Sequence, residues 1–287
     1  LDRGFFFILS LGRIGFKASF PDAVNLAVKH GFEGLDPDAG YFSGLSDDDM
    51  KRGLDDLKAK NLRLGAAGLP VEFRKDETTF NDGLKKLPGV VATLQRAGVA
   101  RVSTWIMPCD DQLTYLQNFR QHAYRLRACA EVLKDHGQRL GLEYVGPRTL
   151  WRSKRHPFVH TMSEIKELIV AIGTGNVGVQ LDSWHWFNAE ESAADLLTLE
   201  NRDVVSIDLN DAPAGLALDQ QKDSEREIPC ATGVIPMADF VNALHKFGCD
   251  APARCEPFNA ALRKQSPEEA LKTTIDSMKK AFALIKT

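Results

Sequence analysis

Eight times along this 287-residue chain, a short apolar run gives way to a longer stretch of helical periodicity. The apolar runs are residues 5–10, 32–36, 62–67, 101–106, 139–145, 177–182, 204–208 and 252–256. Several are apolar on both sides of the pleat, as parallel strands buried on both faces require. The helical stretches are 23–29, 47–60, 79–97, 112–136, 163–172, 192–199, 237–247 and 267–285. Ser46 is a good N-cap, and Glu164 falls in the first turn of the 163–172 segment. Gly31, Gly98, Gly137, Gly173 and Gly248 each stand at a helix end before the next strand. Alternating β and α elements imply a parallel sheet. Eight repeats favour an α/β fold closed into a single (β/α)8 barrel, a TIM barrel over residues 1–287. The open-sheet alternative lacks its phosphate signatures: no GxGxxG follows the first run and no GxxxxGK[ST] occurs. No linker or composition shift divides the chain.

Composition narrows the partners. Hydrophobic residues make up 44% and charged residues 26%, enough apolar surface for a packed core. Lys and Arg number 36 against 39 Asp and Glu, a net charge of −3, which argues against a nucleic-acid partner. No run of 18 apolar residues is present, so no membrane partner is expected. The apolar patch at residues 5–9 is short and followed by charge, and reads as a first buried strand. The chain opens on Leu1 rather than Met, which leaves room for an upstream segment. Five scattered cysteines with no CxxC pair suit reduced thiols and a cytoplasmic location. A homo-oligomer is compatible with all of this.

In a parallel barrel every strand C-terminus opens on one face. Four runs end there in acids: Glu143 in LGLEYVGP, Asp182 in GVQLDSWHW, Asp208 in VVSIDLND and Glu256 in PARCEPFN. One acid at such a place reads as a solvated strand end or a local cap. Four converging on one rim repel each other strongly, and a divalent cation removes that conflict. His185 follows Asp182 by three residues and can share its rim, between Trp184 and Trp186. Aromatic walls with polar tips suit sugar-sized ligands, and plain packing against the next helix is the bland alternative for both tryptophans. Two long irregular stretches, 146–161 and 210–235, follow strands, where barrel enzymes carry active-site loops. The second holds Asn210, Asp211 and Arg226; Arg226 suits a substrate-binding role, or an exposed ion pair with Glu225 or Glu227. The first holds four basic residues in GPRTLWRSKR, which attract an anion or simply face solvent. His156 and His160 have no strand end beside them and read as structural. GxSxG is absent and no cysteine has an evident histidine partner.

With Glu143, Asp182-x-x-His185, Asp208-Leu-Asn-Asp211 and Glu256-Pro-Phe-Asn in this order, the chain resembles the sugar phosphate isomerase/epimerase family. This is the xylose-isomerase-like TIM barrel group, which also holds endonuclease-IV-like enzymes. The resemblance spans most of the chain and is strongest over residues 141–259. It implies metal binding by Glu143, Asp182 and Glu256, with the two glutamates also shuttling a proton, and contact of His185 with substrate hydroxyls. The fourth ligand of the family is usually a histidine in a segment similar to His-Leu-Asn-Asp. Here Asp208 stands in its place, which favours Mg²⁺ or Mn²⁺ over Zn²⁺. A second departure is Ile228-Pro-Cys-Ala-Thr-Gly, where relatives look more like Leu-Pro-Gly-x-Gly.

The expected activity is metal-dependent isomerisation or epimerisation of a keto/hydroxy sugar, sugar phosphate or polyol derivative through an enediolate. Glu143 and Glu256 would be the catalytic pair, Glu143, Asp182, Asp208 and Glu256 the metal ligands, and His185, Arg226 and Trp184 the substrate contacts. A metal-assisted lyase or dehydratase acting on an oxidised sugar or inositol derivative would use the same groups. A degenerate barrel that only binds is the third reading. Abasic-site cleavage fits poorly, because relatives of that type carry several metal-binding histidines and the late loop here reads Glu225-Arg226-Glu227.

Overall fold

The computed structural model describes residues 4–286. Its strands are β1 (Phe6–Leu9), β2 (Gly34–Leu35), β3 (Arg63–Leu64), β4 (Ala67–Gly68), β5 (Arg101–Trp105), β6 (Cys109–Asp110), β7 (Arg139–Glu143), β8 (His156–Pro157), β9 (Val177–Asp182), β10 (Val204–Leu209) and β11 (Pro252–Cys255). The main sheet runs β3-β2-β1-β11-β10-β9-β7-β5-β4, with every pairing parallel. Its two ends, β3 and β4, are neighbouring pieces of one stretch, residues 63–68. The order therefore returns on itself, and eight strand segments close a TIM barrel.

All eight expected strands are present, and the helical layer needs one correction. Long helices Phe20–His30, Asp47–Ala59, Glu77–Arg96, Tyr115–Asp135, Met162–Ile172, Met237–Lys246 and Pro267–Phe282 match seven expected segments. The segment expected at 192–199 is only the single turn Ala193–Leu196, preceded by the short helix Ser183–Asn188. Trp184, His185 and Trp186 thus sit on a helix that starts directly at the end of β9. Capping residues explain several boundaries: Ser19, Ser46, Asp76, Thr161 and Ser266 each accept a backbone N–H with the side chain. Gly173 closes Met162–Ile172 at φ 72°, a left-handed conformation that a Cβ disfavours.

Period-two alternation sorts the strand residues. Leu140, Leu142, Val179, Leu181 and Ile207 join the hydrophobic core under the helices. Gln180, Asp182, Ser206 and Asp208 form a buried polar set linked by hydrogen bonds of Gln180 to Asp208 and Ser206. In register, Asp208 lies beside Asp182 on one side and beside Arg254 on the other. The barrel floor is tight: a Cβ at Gly178 would stand 2.3 Å from the Asp203 carbonyl oxygen. Gly178→Ala is therefore expected to destabilise the fold by about 1–3 kcal/mol in urea unfolding. Gly12→Ala, where a Cβ meets no atom within 4 Å, serves as the control.

Candidate active site

The acidic strand ends converge. Glu143, Asp182, Asp208 and Glu256 each present a carboxylate oxygen, all within 4.8 Å of one another, and all four residues are buried. Each is delivered by a strand end of β7, β9 or β10, or by the residue following β11. Asn210 ties two of these ends together: its Nδ2 donates to Asp182 Oδ1 (3.0 Å), and its Oδ1 accepts the Glu256 backbone N–H (3.0 Å). Trp184 N–H donates to the same Asp182 oxygen at 2.8 Å.

Three arginines enter the cluster. Arg226 Nη1 donates to Asp182 Oδ2 (2.8 Å) and Glu256 Oε2 (3.3 Å), and its Nη2 donates to Asp223 Oδ1 (2.8 Å). Arg254 donates to both oxygens of Asp208, through Nε at 2.6 Å and Nη2 at 3.3 Å. Arg13, from the turn after β1, ion-pairs with Glu256 Oε1. Arg226 is thus buried on three carboxylates, not exposed on Glu225 or Glu227. Arg254 and Arg13 were not anticipated. Arg254 was findable, because it lies two residues before Glu256 and a strand places such neighbours on one face. Arg13 had no local signal.

These contacts set the protonation states. Burial, and then the charges of Asp208 and Asp182, raise the Glu143 carboxyl well above the ordinary range. Asp182 is also raised by burial, against the pull of Arg226. Burial pushes Asp208 upward too, but Arg254 and Arg13 overcome it and leave this carboxylate lowered. His185 is lowered to about 3 by burial and by Arg226, so its ring is neutral. Its Nδ1 accepts the Gly146 N–H at 3.3 Å, and its Nε2 faces a second donor, Arg226 Nη2, at 3.5 Å. That Nε2 lies 3.9 Å from Glu143 and 3.7 Å from Asp182. His185 also lines the cavity above the acids.

A cavity of about 370 Å³ opens over the cluster. Its polar lining comprises Arg13, Glu143, His185, Asp223, Arg226 and Glu256, and Trp105, Met107, Val145, Leu150 and Phe258 form its apolar walls. Trp184 does not reach it. That side chain is fully buried, with Arg226 5.6 Å from its ring, so it supports the arginine instead of walling the substrate. Trp105 and Phe258 supply the aromatic walls. A separate cavity of about 500 Å³ lies beside Phe16, Lys17, Asp36 and Asp38 and touches none of the four acids.

The long loops behave as expected for barrel loops. Asp211 gathers the backbone N–H groups of Ala212, Thr232, Gly233 and Ile235 at 2.8–3.0 Å, which folds the loop over residues 227–235. Cys230, at the position where a glycine was expected, takes φ 59°, a left-handed conformation. In the basic stretch, Arg152, Lys154 and Arg155 are exposed and Arg148 pairs with Glu190. His160 contacts Glu164 and stacks on Trp151, a structural role.

Metal-free protein should lose stability as pH rises above the ordinary carboxylate range. Glu143 and Asp182 hold protons more tightly folded than unfolded, so deprotonation favours unfolding. Urea midpoints of chelator-treated protein between pH 5 and about 8 should fall. Glu143→Gln should flatten that slope, and an unchanged slope would remove Glu143 as its source.

Comparisons with known proteins show the family and the fold. The family described as xylose isomerase-like TIM barrel matches residues 24–281. An inosose isomerase of Halalkalibacterium halodurans is 24% identical over 256 residues, 85% of this chain and 84% of its own. A xylose isomerase domain protein from Alicyclobacillus acidocaldarius superposes with a TM-score of 0.84 at 28% identity, covering 98% of this chain and 99% of its own. The IolI protein with a bound zinc atom superposes with a TM-score of 0.80 at 18% identity, covering 98% and 99%.

Proposed function

This chain belongs to the xylose isomerase-like TIM barrel family, and from that premise we propose that it isomerises or epimerises a keto/hydroxy polyol, with cyclic inosose-type ketones as the favoured substrate class. One observation carries the proposal: Glu143 and Glu256 line the same cavity and present carboxylate oxygens within 4.8 Å of each other. Two carboxyl groups at one reacting centre are what proton removal and return next to a carbonyl require. The apolar walls offer Trp105 and Phe258 to the face of a ring. The two guanidiniums lining the cavity are both engaged by carboxylates, which favours an uncharged substrate over a phosphorylated one.

Glu256, ion-paired with Arg13 and Arg226, is the base that removes the proton adjacent to the carbonyl. Glu143, across the same cavity, returns a proton to the resulting enediolate. Both protons then equilibrate with water, so turnover carries solvent hydrogen into product. His185 contacts a substrate oxygen from the cavity wall, and Arg226 and Asn210 keep the carboxylates aligned.

A divalent cation fits these residues. Glu143 Oε1 is buried with no hydrogen-bond partner among the described residues, and the donors are hard oxygens. Glu143, Asp182 and Glu256 would hold the ion, with Asp208 in the same cluster. Hard donors favour Mg²⁺ or Mn²⁺ over Zn²⁺. When bound, the ion supplies Lewis-acid stabilisation of enediolate charge.

Incubation with inososes and related keto polyols in deuterated water tests the reading. The unsubstituted protein should incorporate solvent deuterium, and Glu256→Gln should slow this by about 100-fold or more. Undiminished exchange in that variant would exclude Glu256 as the base.

A further inference from the structure

The four acids of the cluster are not equivalent. Asp208 alone has both oxygens taken by a single guanidinium, through Nε and Nη2 of Arg254, and Gln180 Nε2 adds a third donor at 2.8 Å. Gln180 lies one step deeper along β9 than Asp182, so Asp208 is gripped from below as well as from the side. Asp208 and Arg254 are direct lateral neighbours on β10 and β11, and the main chain itself holds the pair in register. Glu143 and Glu256 line the cavity, whereas Asp182 and Asp208 lie behind it, so burial alone does not separate these two and their partners do. The partner of Arg254 on its other side is Asp36, at 3.9 Å, at the end of β2.

We infer that Asp208 belongs to Arg254 and not to a bound cation, so that this chain holds its metal through Glu143, Asp182 and Glu256 alone, with Arg254 as a permanent positive charge beside the site. This rests on the cation-binding reading above. A cation on an Asp208 oxygen would stand next to a guanidinium bound to that same carboxylate, in a buried place where like charges are poorly screened. The bidentate pair is the better use of the carboxylate, because both partners are hydrogen-bonded and neither charge is left bare. None of the other three acids is gripped on both oxygens by one guanidinium: Glu256 has Arg13 on Oε1 and shares Arg226 with Asp182 and Asp223, and Glu143 Oε1 has no hydrogen-bond partner among the described residues.

Titration of chelator-treated full-length protein with Mn²⁺, by calorimetry and by the paramagnetic resonance of the bound ion, tests this without recourse to turnover. Arg254→Gln removes the positive charge and frees Asp208, so Mn²⁺ should bind at least about tenfold more tightly. The double variant Asp208→Asn/Arg254→Gln removes both charges and keeps hydrogen-bonding groups in place. It should bind Mn²⁺ within about threefold of the unsubstituted protein, whereas Asp182→Asn should lose about tenfold or more. If the double variant binds about tenfold more weakly, Asp208 is a ligand and the inference falls, while the cation reading stands. If the unsubstituted protein takes up no Mn²⁺, both fall. Should Arg254→Gln alone fail to fold, as judged by circular dichroism, the charge-neutral double variant decides the matter.

Discussion

Burying carboxylates at the mouth of the barrel is the constraint that shapes this protein. Glu143, Asp182, Asp208 and Glu256 sit together away from water, with Asp36 and Asp223 nearby. An uncompensated buried charge is among the most expensive features a fold can carry. Three guanidiniums answer it, one each from the turn after β1, the loop after β10 and strand β11. The compensation is incomplete: six carboxylates face three arginines, and His185 is neutral. Burial answers part of the remainder by favouring the protonated forms of Glu143, Asp182 and Asp36.

The barrel is what allows such a cluster to exist. Parallel strands end together, so residues far apart in the chain meet without any loop having to order itself around them. Registration between β9, β10 and β11 puts Asp182, Asp208 and Arg254 side by side. Loops then refine the arrangement. The loop after β10 brings Arg226 inward, and Asp211 secures that loop by collecting backbone donors. Phe258, at φ 42°, packs its ring 4.8 Å from the Arg226 guanidinium, so a left-handed backbone residue stands directly behind a site group.

Much of this was legible in the residues. The eight-fold alternation showed a barrel because strand and helix periodicities are local properties. The acids stood out because a charge closing an apolar run is costly unless something binds it. Less visible was the use made of each residue. Arg226 looked as suited to the surface as to the site until its loop was seen to fold inward. Trp184 looked like a substrate wall, yet the helix Ser183–Asn188 begins at once after β9 and turns its ring into the core. Cys230 was noted only as a departure from glycine; its backbone takes the left-handed conformation that glycine adopts most readily.

By itself, then, the sequence determined the repeating unit, the closure it favours and the four acids at the strand ends. Each of these follows from spacing and polarity within a few residues. Tertiary structure decided which positive charge meets which acid. Arg13 and Glu256 are separated by most of the chain, and Asp208 meets Arg254 only because two strands align in register. Ion pairing depends on distances of a few ångströms between distant segments, and only the closed barrel brings those segments together.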